Sequence, residues 1–297
     1  MGKRPDILCI GAVLWDIIGR SASSMRVGSD VPGRITRLPG GVALNIAMTL
    51  RGFGLESALL SSIGRDEEGA ELIAALTRMG LITDYAHLSE DLPTDRYMAV
   101  EGANGLIAAI ADAHSLEAAG AKILRPLEDG RLGSAQAPYA GLVALDGNLT
   151  AALLAEIAGS PLFSAADLRV APASPGKAER LVPFLNGARA TLYVNCEEAG
   201  LLLKTRFAEA GEAAEALHTR GAHRALVTDG GRAAALCDAQ GVISQTPPAV
   251  MVSRVTGAGD TFMAGHIAAE HNGADREAAL ARAIDAAATY VSGETPS

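Results

Sequence analysis

Aromatic residues are scarce in this chain: Phe, Trp and Tyr make up 4% of its 297 residues, and Trp15 is the only tryptophan. Proteins that hold single-stranded nucleic acid stack its bases on aromatic side chains, so this scarcity argues against that class. Positive charge is also in deficit, because the formal net charge is −9 at pH 7. Phosphate backbones and anionic membrane surfaces repel an acidic chain, so we expect neither nucleic acid nor membrane as a partner.

Cysteines and long apolar runs are scarce as well. Cys9, Cys196 and Cys237 are far apart and form no CxxC pair or Cys/His cluster, which argues against a disulfide framework or a cysteine-based metal site. Asp6 and Asp16 bracket a first apolar run that is too short for a signal peptide. No run reaches the ~18 apolar residues of a membrane span. These absences predict a soluble, cytoplasmic protein.

Aliphatic residues and glycine are abundant, and hydrophobic residues make up 49% of the chain. Short apolar runs typical of buried strands alternate with longer amphipathic stretches typical of helices. This alternation predicts an α/β fold with a doubly wound, mostly parallel sheet. The predicted strands cover residues 6–13, 57–64, 141–146, 168–171, 190–195, 225–229 and 233–238, and the predicted helices 42–53, 66–79, 150–158, 177–185, 197–204, 208–220, 262–270 and 275–291.

Two segments interrupt the alternation and predict a small β-sheet lid, contributed by residues of about 17–38 and 92–112. The second segment contains two strand-like runs around Asn104-Gly105, a dipeptide that strongly favours a β-hairpin. No linker divides the chain, so residues 1–297 are predicted to form one domain with this lid. An exposed lid edge favours pairing with a second copy, which predicts a homodimer.

The most informative stretch is Val255-Thr256-Gly257-Ala258-Gly259-Asp260-Thr261, predicted to follow a β-rich segment at 245–255 and to open a helix. Two glycines one residue apart permit a tight turn and leave backbone N–H groups uncovered. At a helix N-terminus these groups attract anions, above all phosphate. Asp260 would lie inside this anion site, where a carboxylate caps the helix or acts as a base beside a bound phosphate.

Three further constellations are weak when taken singly. Gly40 and Gly41 permit close backbone approach and precede Asn45 on a predicted helix. Asn195 and Glu198 follow a predicted strand at a spacing of one helical turn. The third is a glycine-rich turn after Thr228, and Asp16 lies just beyond the predicted first strand, where open α/β sheets bind ligands.

In this order and spacing, the motifs resemble the ribokinase-like family of carbohydrate and nucleoside kinases. Two stretches carry the resemblance, which runs from about Asp6 to about Val291: Pro39-Gly40-Gly41-Val42-Ala43-Leu44-Asn45 and Val255-Thr256-Gly257-Ala258-Gly259-Asp260-Thr261-Phe262. The resemblance implies an enzyme that transfers phosphate from ATP, with Mg²⁺, to a sugar hydroxyl. Positioning and charge stabilisation dominate that chemistry, and an anion site with a nearby carboxylate suits it.

The resemblance also implies a role for each motif. Asp260 would be the base, with the N–H groups of Gly257, Ala258 and Gly259 stabilising charge on the transferring phosphoryl group. Glu198 would hold Mg²⁺ through water. The implied nucleotide-binding residues are Asn195, Thr228, Gly230, Thr256, Gly257 and Gly259, and the implied substrate-binding residues are Asp16, Gly40, Gly41, Asn45 and Asp112.

Softer matches within the family favour a particular substrate. Segments around Asp112, at 145–149 and at 172–178 resemble pseudouridine kinases, which implies pseudouridine, phosphorylated at its 5′-hydroxyl. Near 40–45 there is no cation to hold a second phosphate, which favours a neutral substrate. A kinase of ribose, fructose or a conventional nucleoside remains an alternative, as does a non-catalytic sugar or nucleoside sensor on the same fold.

Three residues depart from the family pattern. Leu44 stands where those relatives usually have a basic residue, and Ala171 where an acidic residue is common. Arg254 occupies a position that is often Asp or Asn and that helps to build a monovalent-cation site in many relatives. Dependence on K⁺, and the role of Arg254, are therefore open from the sequence.

Overall fold

The computed structural model describes residues 4–26 and 28–296. Residues 1–3 and 297 of the predicted domain, and Val27 of the predicted lid, lie outside these ranges. Among the described residues the central sheet has eight strands, and neighbouring strands pair in parallel except for the two pairs formed by the last three strands in the chain. In spatial order they are β14 (Gly241–Gln245), β13 (Ala234–Asp238), β12 (Arg224–Thr228), β11 (Ala190–Asn195), β10 (Asp167–Ala171), β9 (Leu142–Asp146), β1 (Ile7–Ile10) and β4 (Ser57–Leu60).

Helices cover both faces of this sheet, because its strands alternate their apolar side chains between two cores. Leu8 and Ile10 of β1 belong to one buried cluster, and Ile7 and Cys9 to the other. The helices are α1 (Val42–Gly52), α2 (Glu67–Arg78), α3 (His114–Ala119), α4 (Ala151–Gly159), α5 (Cys196–Leu203), α6 (Ala210–Arg220), α7 (Ala258–His271) and α8 (Arg276–Val291). This three-layer arrangement confirms the predicted α/β, doubly wound fold.

A separate four-stranded sheet lies beside the central one, in the order β3 (Arg34–Gly40), β2 (Leu14–Arg20), β7 (Arg96–Gly102) and β8 (Gly105–Asp112). The hairpin predicted at Asn104-Gly105 joins β7 to β8, and Gly105 adopts the positive φ of 95° that such a turn requires. A small sheet from the two predicted segments is thus present, and its action as a lid stays a prediction.

Several predicted elements differ from the structure. The strand predicted at 57–64 divides into β4 and β5 (Ser62–Gly64), which pairs with β6 (His87–Ser89) outside the main sheet. Residues 175–185 form 3₁₀ turns instead of the α-helix predicted at 177–185. The predicted β-rich segment at 245–255 is wrong: the described chain there has no strand after Gln245.

The placement of Asp16 relative to the first strand also needs correction. β1 ends at Ile10, and Asp16 lies within β2, on the separate sheet. The glycine at position 11 allows the chain to leave β1 sharply, because a Cβ there would lie 2.3 Å from the Cβ of Asp146. Asp16 is therefore carried by the sheet that was predicted to be the lid, and not by the edge of the central sheet.

The order of the strands reverses at β1, which has β4 on one side and β9 on the other. In doubly wound sheets this reversal opens a crevice at the carboxyl ends of the strands, where ligands bind. Gly11 follows β1 and Asp146 ends β9, so both lie at this crevice. Among the described residues, no helix is long and apolar enough to cross a membrane.

Candidate active site

The glycine-rich stretch opens α7 as predicted. Gly257 is the N-cap of α7 and has a positive φ of 91°, which only glycine adopts readily. A Cβ on Gly257 would also lie 2.6 Å from the Tyr290 hydroxyl, which donates a hydrogen bond to the Thr256 carbonyl at 2.8 Å. The turn is therefore specified both by its own backbone and by the end of α8.

The backbone donors of this turn are not all equivalent. The Ala258 N–H donates to the Val255 carbonyl at 3.0 Å, so it is engaged in the turn itself. Gly259 is exposed, and a Cβ there would meet no atom within 4 Å. Open space at the positive end of a fourteen-residue helix fits a bound anion.

Asp260 and Asn45 meet across 215 positions of the chain. The Asn45 Nδ2 donates to the Asp260 Oδ2 at 3.0 Å. Helix α1 positions Asn45, and its start at Gly41 is very close to the chain after β1: a Cβ on Gly41 would lie 2.3 Å from the Ala12 carbonyl oxygen. Two predicted site residues from the opposite ends of the sequence are thus brought together.

Burial raises the pKa of Asp260 to about 7. The Asn45 hydrogen bond opposes this shift, while the negative charges of Asp146 and Glu198 add to it. A carboxylate without a cationic partner, half protonated near neutral pH, can accept a proton from a substrate hydroxyl. This electrostatic setting is that of a general base more than that of a simple helix cap.

Asp146 is a site residue that the sequence analysis did not single out. It is fully buried, and its Oδ2 accepts the Ala12 N–H at 2.8 Å while its Oδ1 accepts the Asn148 N–H at 2.7 Å. Burial raises its pKa, although the Lys177 ammonium, which donates to Asn148 Oδ1 at 2.5 Å, opposes the shift. A buried acid at the end of a predicted strand was the available signal.

Asn195 and Glu198 form a capping box at the start of α5. The Asn195 Oδ1 accepts the Glu198 N–H at 2.9 Å, and the Glu198 Oε2 accepts the Asn195 N–H at 2.9 Å. The Asn195 Nδ2 and the Glu198 Oε1 take no part in the capping box. Burial raises the pKa of Glu198 to about 7.

Two more of the residues predicted to bind the nucleotide, Thr228 and Gly230, lie close to that box. Thr228 ends β12 and is directly opposite Asn195 in the parallel register. Gly230 lies in the following turn with a positive φ of 57°, and Asp229 in that turn is paired with Arg232 at 2.7 Å. Neighbouring strands therefore bring Asn195, Glu198, Thr228 and Gly230 to one edge of the sheet.

Asp16 lies on the separate sheet opposite Tyr97, a partner that the sequence analysis missed. Burial raises the pKa of Asp16 to about 6, and the negative charge of Asp16 in turn adds to the raised pKa of Tyr97. Gly40 is required beside Asp16, because a Cβ there would lie 2.0 Å from the Asp16 Oδ2. Asp16 and Tyr97 therefore occupy neighbouring positions on one face of the separate sheet.

Asp112 is less well placed than the other predicted substrate residues. It ends β8 and is exposed. Its Oδ1 lies 2.6 Å from the His114 Nδ1, in a contact that is a hydrogen bond and, when the ring is protonated, an ion pair. Its charge contributes to the raised pKa of Asp95. No contact joins Asp112 to Asn45 or Asp260 within the described residues.

Two of the three departures from the family pattern have structural explanations. Leu44 is fully buried in the core, so it faces away from any ligand. Ala171 ends β10, and nothing in the structure explains the alanine there. Arg254 donates from Nε to the Tyr290 carbonyl at 2.8 Å and from Nη2 to the Glu294 carbonyl at 2.9 Å, with its guanidinium 3.7 Å from the Tyr290 ring centroid.

Comparison with known proteins decides the family. The sequence pattern of the pfkB family of carbohydrate kinases matches residues 4–296. The chain belongs to this family. It is therefore a phosphotransferase that acts on a sugar hydroxyl, and its family membership implies ATP as phosphate donor.

Individual relatives agree with this assignment. The chain is 29% identical over 275 residues to the pseudouridine kinase of Escherichia coli K12, covering 89% of this chain and 83% of that protein. A carbohydrate kinase from Agrobacterium tumefaciens has the same fold, with 24% identity, a TM-score of 0.79 and coverage of 96% and 90%. An Arabidopsis thaliana ribokinase complexed with ribose and ATP gives 20% identity, a TM-score of 0.74 and coverage of 97% and 93%.

Proposed function

We propose that this pfkB-family kinase phosphorylates the ribose 5′-hydroxyl of pseudouridine. The observation that carries the chemistry is the Asp260 carboxylate, which accepts a hydrogen bond from Asn45 beside the start of α7 and is paired with no cation in the described part of the chain. The substrate choice is supported by the similarity to the Escherichia coli enzyme and by the Asp16–Tyr97 pair on the separate sheet.

In the proposed reaction, Asp260 accepts the proton of the 5′-hydroxyl as its oxygen forms a bond to the γ-phosphorus of ATP. The bond between that phosphorus and the β–γ bridging oxygen breaks, and ADP leaves. Asn45 orients the Asp260 carboxylate through the 3.0 Å hydrogen bond. The N–H groups of Gly257 and Gly259 at the start of α7 would offset the charge of the transferring group. The Ala258 N–H would join them once it no longer donates to the Val255 carbonyl.

The residues present also fit ATP and Mg²⁺. Mg²⁺ prefers oxygen ligands, keeps several waters, and is held by one or two carboxylates together with substrate phosphates. Glu198 offers the carboxylate oxygen that its capping box leaves unused, and its charge already influences Asp260. Bound Mg²⁺ would supply charge neutralisation for the phosphates. We assign the nucleotide to the edge formed by Asn195, Thr228 and Gly230, with Thr256 at the turn.

We propose that the separate sheet acts as a lid over the substrate, which it would contact through its own residues Asp16 and Gly40 and through Gly41, just after β3. Asp16 would accept hydrogen bonds from sugar hydroxyls, and Tyr97 would pack against the base. Asp112, which is exposed and joined to His114, would reach the ligand only when the sheet closes. Closure excludes water and so protects ATP from hydrolysis.

Arg254 supports a proposal about monovalent cations. Its guanidinium already holds the carbonyl oxygens of Tyr290 and Glu294, beside the turn that opens α7. Arginine stays charged at every physiological pH, so this charge is always present. We therefore propose a kinase that does not depend on K⁺.

An exposed apolar face of the separate sheet also supports a proposed homodimer. Ile35, Met98 and Ile110 are exposed by 78%, 44% and 63%, and Met98 is directly opposite Ile110 in the register. Burial of this apolar face against a second copy would remove it from water. The three cysteines are free, which suits a reducing compartment, and we propose a cytoplasmic location.

A substrate panel tests the proposed function. Purified protein would be incubated with ATP, Mg²⁺ and either pseudouridine, uridine, ribose or fructose, and ADP release would be measured. We expect the highest kcat/KM with pseudouridine, and a ³¹P NMR spectrum that shows a 5′-phosphate ester. Turnover of ribose or uridine but not pseudouridine would overturn the substrate, and ligand binding without any ADP release would favour a sensor.

A further inference from the structure

A cavity of about 430 Å³ opens at the amino-terminal edge of β10, β11 and β12, away from the candidate active site. Its lining includes Arg169, Arg189, Arg224, His223 and Thr191. Its volume is within the range of pockets that hold small-molecule ligands. Three arginines and a histidine around one cavity are unusual in a chain whose net charge is −9.

The acidic groups at this cavity are already neutralised by two of its arginines. Arg169 donates to both carboxylate oxygens of Asp167, at 2.8 and 2.5 Å, and is also paired with Glu270. Arg224 donates to both oxygens of Glu270, at 2.5 and 2.9 Å. The second lining acid, Asp238, is paired with Arg276, which is outside the cavity lining.

Positive charge remains after this pairing. Arg189 is exposed and forms no hydrogen bond or ion pair with another described residue, and the same holds for His223. Four arginines, with Arg276 included, thus face three carboxylates. The pKa of His223 is lowered, mainly by burial and further by the charges of Arg189 and Arg224, while Asp167 opposes the shift.

Hydrogen-bond donors remain as well. Arg224 uses three of the five N–H groups of its guanidinium, two for Glu270 and one for Thr191. All five of Arg189 are free among the described contacts. Guanidinium groups bind phosphate oxygens in pairs, which gives such contacts both strength and geometry.

We propose that this cavity is a binding site for a small oxyanion with two or more negative charges, namely phosphate or a phosphate ester. Arg189 and the unused face of Arg224 are its main contacts, with His223 beside them. The site is distinct from the start of α7, although Glu270 near the end of α7 joins the cavity wall to that helix. Anion binding at this cavity requires no kinase activity, so this inference does not depend on the proposed function.

The test is stabilisation of the nucleotide-free protein by inorganic phosphate. Thermal unfolding would be followed with increasing sodium phosphate and, as control, with sodium chloride of equal ionic strength. A ligand at about ten times its Kd raises the Tm of a protein of this size by about 2 °C. We expect this rise with phosphate and not with chloride.

Three variants locate the bound phosphate. Arg189→Glu should remove the rise, and exposed Arg78, which has no described partner, provides the matched Arg78→Glu control that should keep it. Gly259→Asp introduces a carboxylate at the start of α7, where space is open, and therefore blocks an anion there. We expect Gly259→Asp to keep the rise as well.

Titration calorimetry gives the second measurement, and Arg189→Glu should weaken phosphate binding by about tenfold or more. The proposal is overturned if chloride stabilises the protein as well as phosphate does. It is also overturned if Gly259→Asp removes the effect while Arg189→Glu leaves it, because phosphate would then bind only at α7.

Discussion

Carboxylates at the two edges of the central sheet differ in their charged neighbours and in the direction of their pKa shifts. At the carboxyl edge, Asp260 and Glu198 lie near other acids without a cationic partner, and the pKa of each is raised to about 7. At the amino edge, Glu270 lies between Arg169 and Arg224, and its pKa is lowered to about 2. Asp260 and Glu270 both belong to α7, so the helix that carries them does not explain why their pKa values shift in opposite directions.

The contrast supports the proposal that the unpaired acids are the ones that meet a ligand. A carboxylate that is paired with arginine contributes to folding, and its proton affinity is too low for a base near neutral pH. An unpaired carboxylate at a crevice has a pKa suited to proton transfer and retains its lone pairs for a substrate or a metal. Substitutions at Asp260 and Glu270 and the pH dependence of activity test this division of roles.

The largest effect is expected from Asp260→Asn. The amide keeps the size of the side chain and removes the base, so kcat should fall on the order of a hundredfold or more, with a smaller change in KM. The measurement is ADP release at saturating ATP. Exposed Asp285 on α8 provides the matched control Asp285→Asn, which should retain normal activity. Near-normal turnover of Asp260→Asn would reduce Asp260 to a helix cap.

Glu270→Gln should act on stability instead. Loss of the charge leaves Arg169 and Arg224 incompletely paired, and we expect the free energy of unfolding at pH 7 to fall by about 2 kcal/mol, below the value for a fully buried pair. Urea unfolding measures this loss, and Glu215→Gln, at an exposed position on α6, is the control.

The same variant has a defined pH signature. The folded pKa of Glu270 is depressed, so its stabilisation is present above the unfolded value of about 4.5 and is lost as pH falls through about 2. The stability difference between Glu270→Gln and the native chain should therefore shrink across that window. A difference that stayed constant down to pH 2 would contradict the ion-pair assignment.

The pH dependence of activity is the next effect in size. Asp260 must be ionised to accept a proton, so kcat/KM should fall about tenfold per pH unit below an apparent pKa near 7. Because Glu198 titrates in the same range, the limb belongs to the coupled pair and not to one residue. A profile that stayed flat from pH 8 to pH 5 would rule out an acid with a raised pKa as the base.

The smallest effect concerns Arg254. Replacing NaCl by KCl at constant ionic strength should change kcat by less than about twofold, because the guanidinium already supplies the charge beside the turn. Arg254→Ala should lower kcat several-fold and create a response to K⁺. Strong activation of the native chain by K⁺ would show that Arg254 does not take this role.

Much of the site was predictable because its signals are local. Gly257 and Gly41 need positive φ values, and such turns have a recognisable glycine pattern. The alternation of strands and helices follows from side-chain periodicity, which identified most elements to within a few residues. Asn195 and Glu198 were found from their spacing, although the capping box gives that spacing a structural role as well.

Predictions failed where pairing partners decide the conformation. Residues 246–255 have a strand-like composition, yet no described neighbouring strand pairs with them. Asp16 was assigned to the edge of the first strand, but its pairing with Leu38 and Tyr97 carries it to the other sheet. Strand pairing joins distant segments, and a single sequence does not record which segments meet.

By itself, the sequence determined the fold class, the glycine-rich turn before α7 and the acid that follows it, because backbone conformation and periodicity depend on neighbouring residues. Only the tertiary structure decided the chemical state of each acid. Asn45 meets Asp260 across 215 positions, and Arg169 meets Glu270 across 101. A pKa depends on burial and on the charges that surround the group, and folding alone brings those charges together.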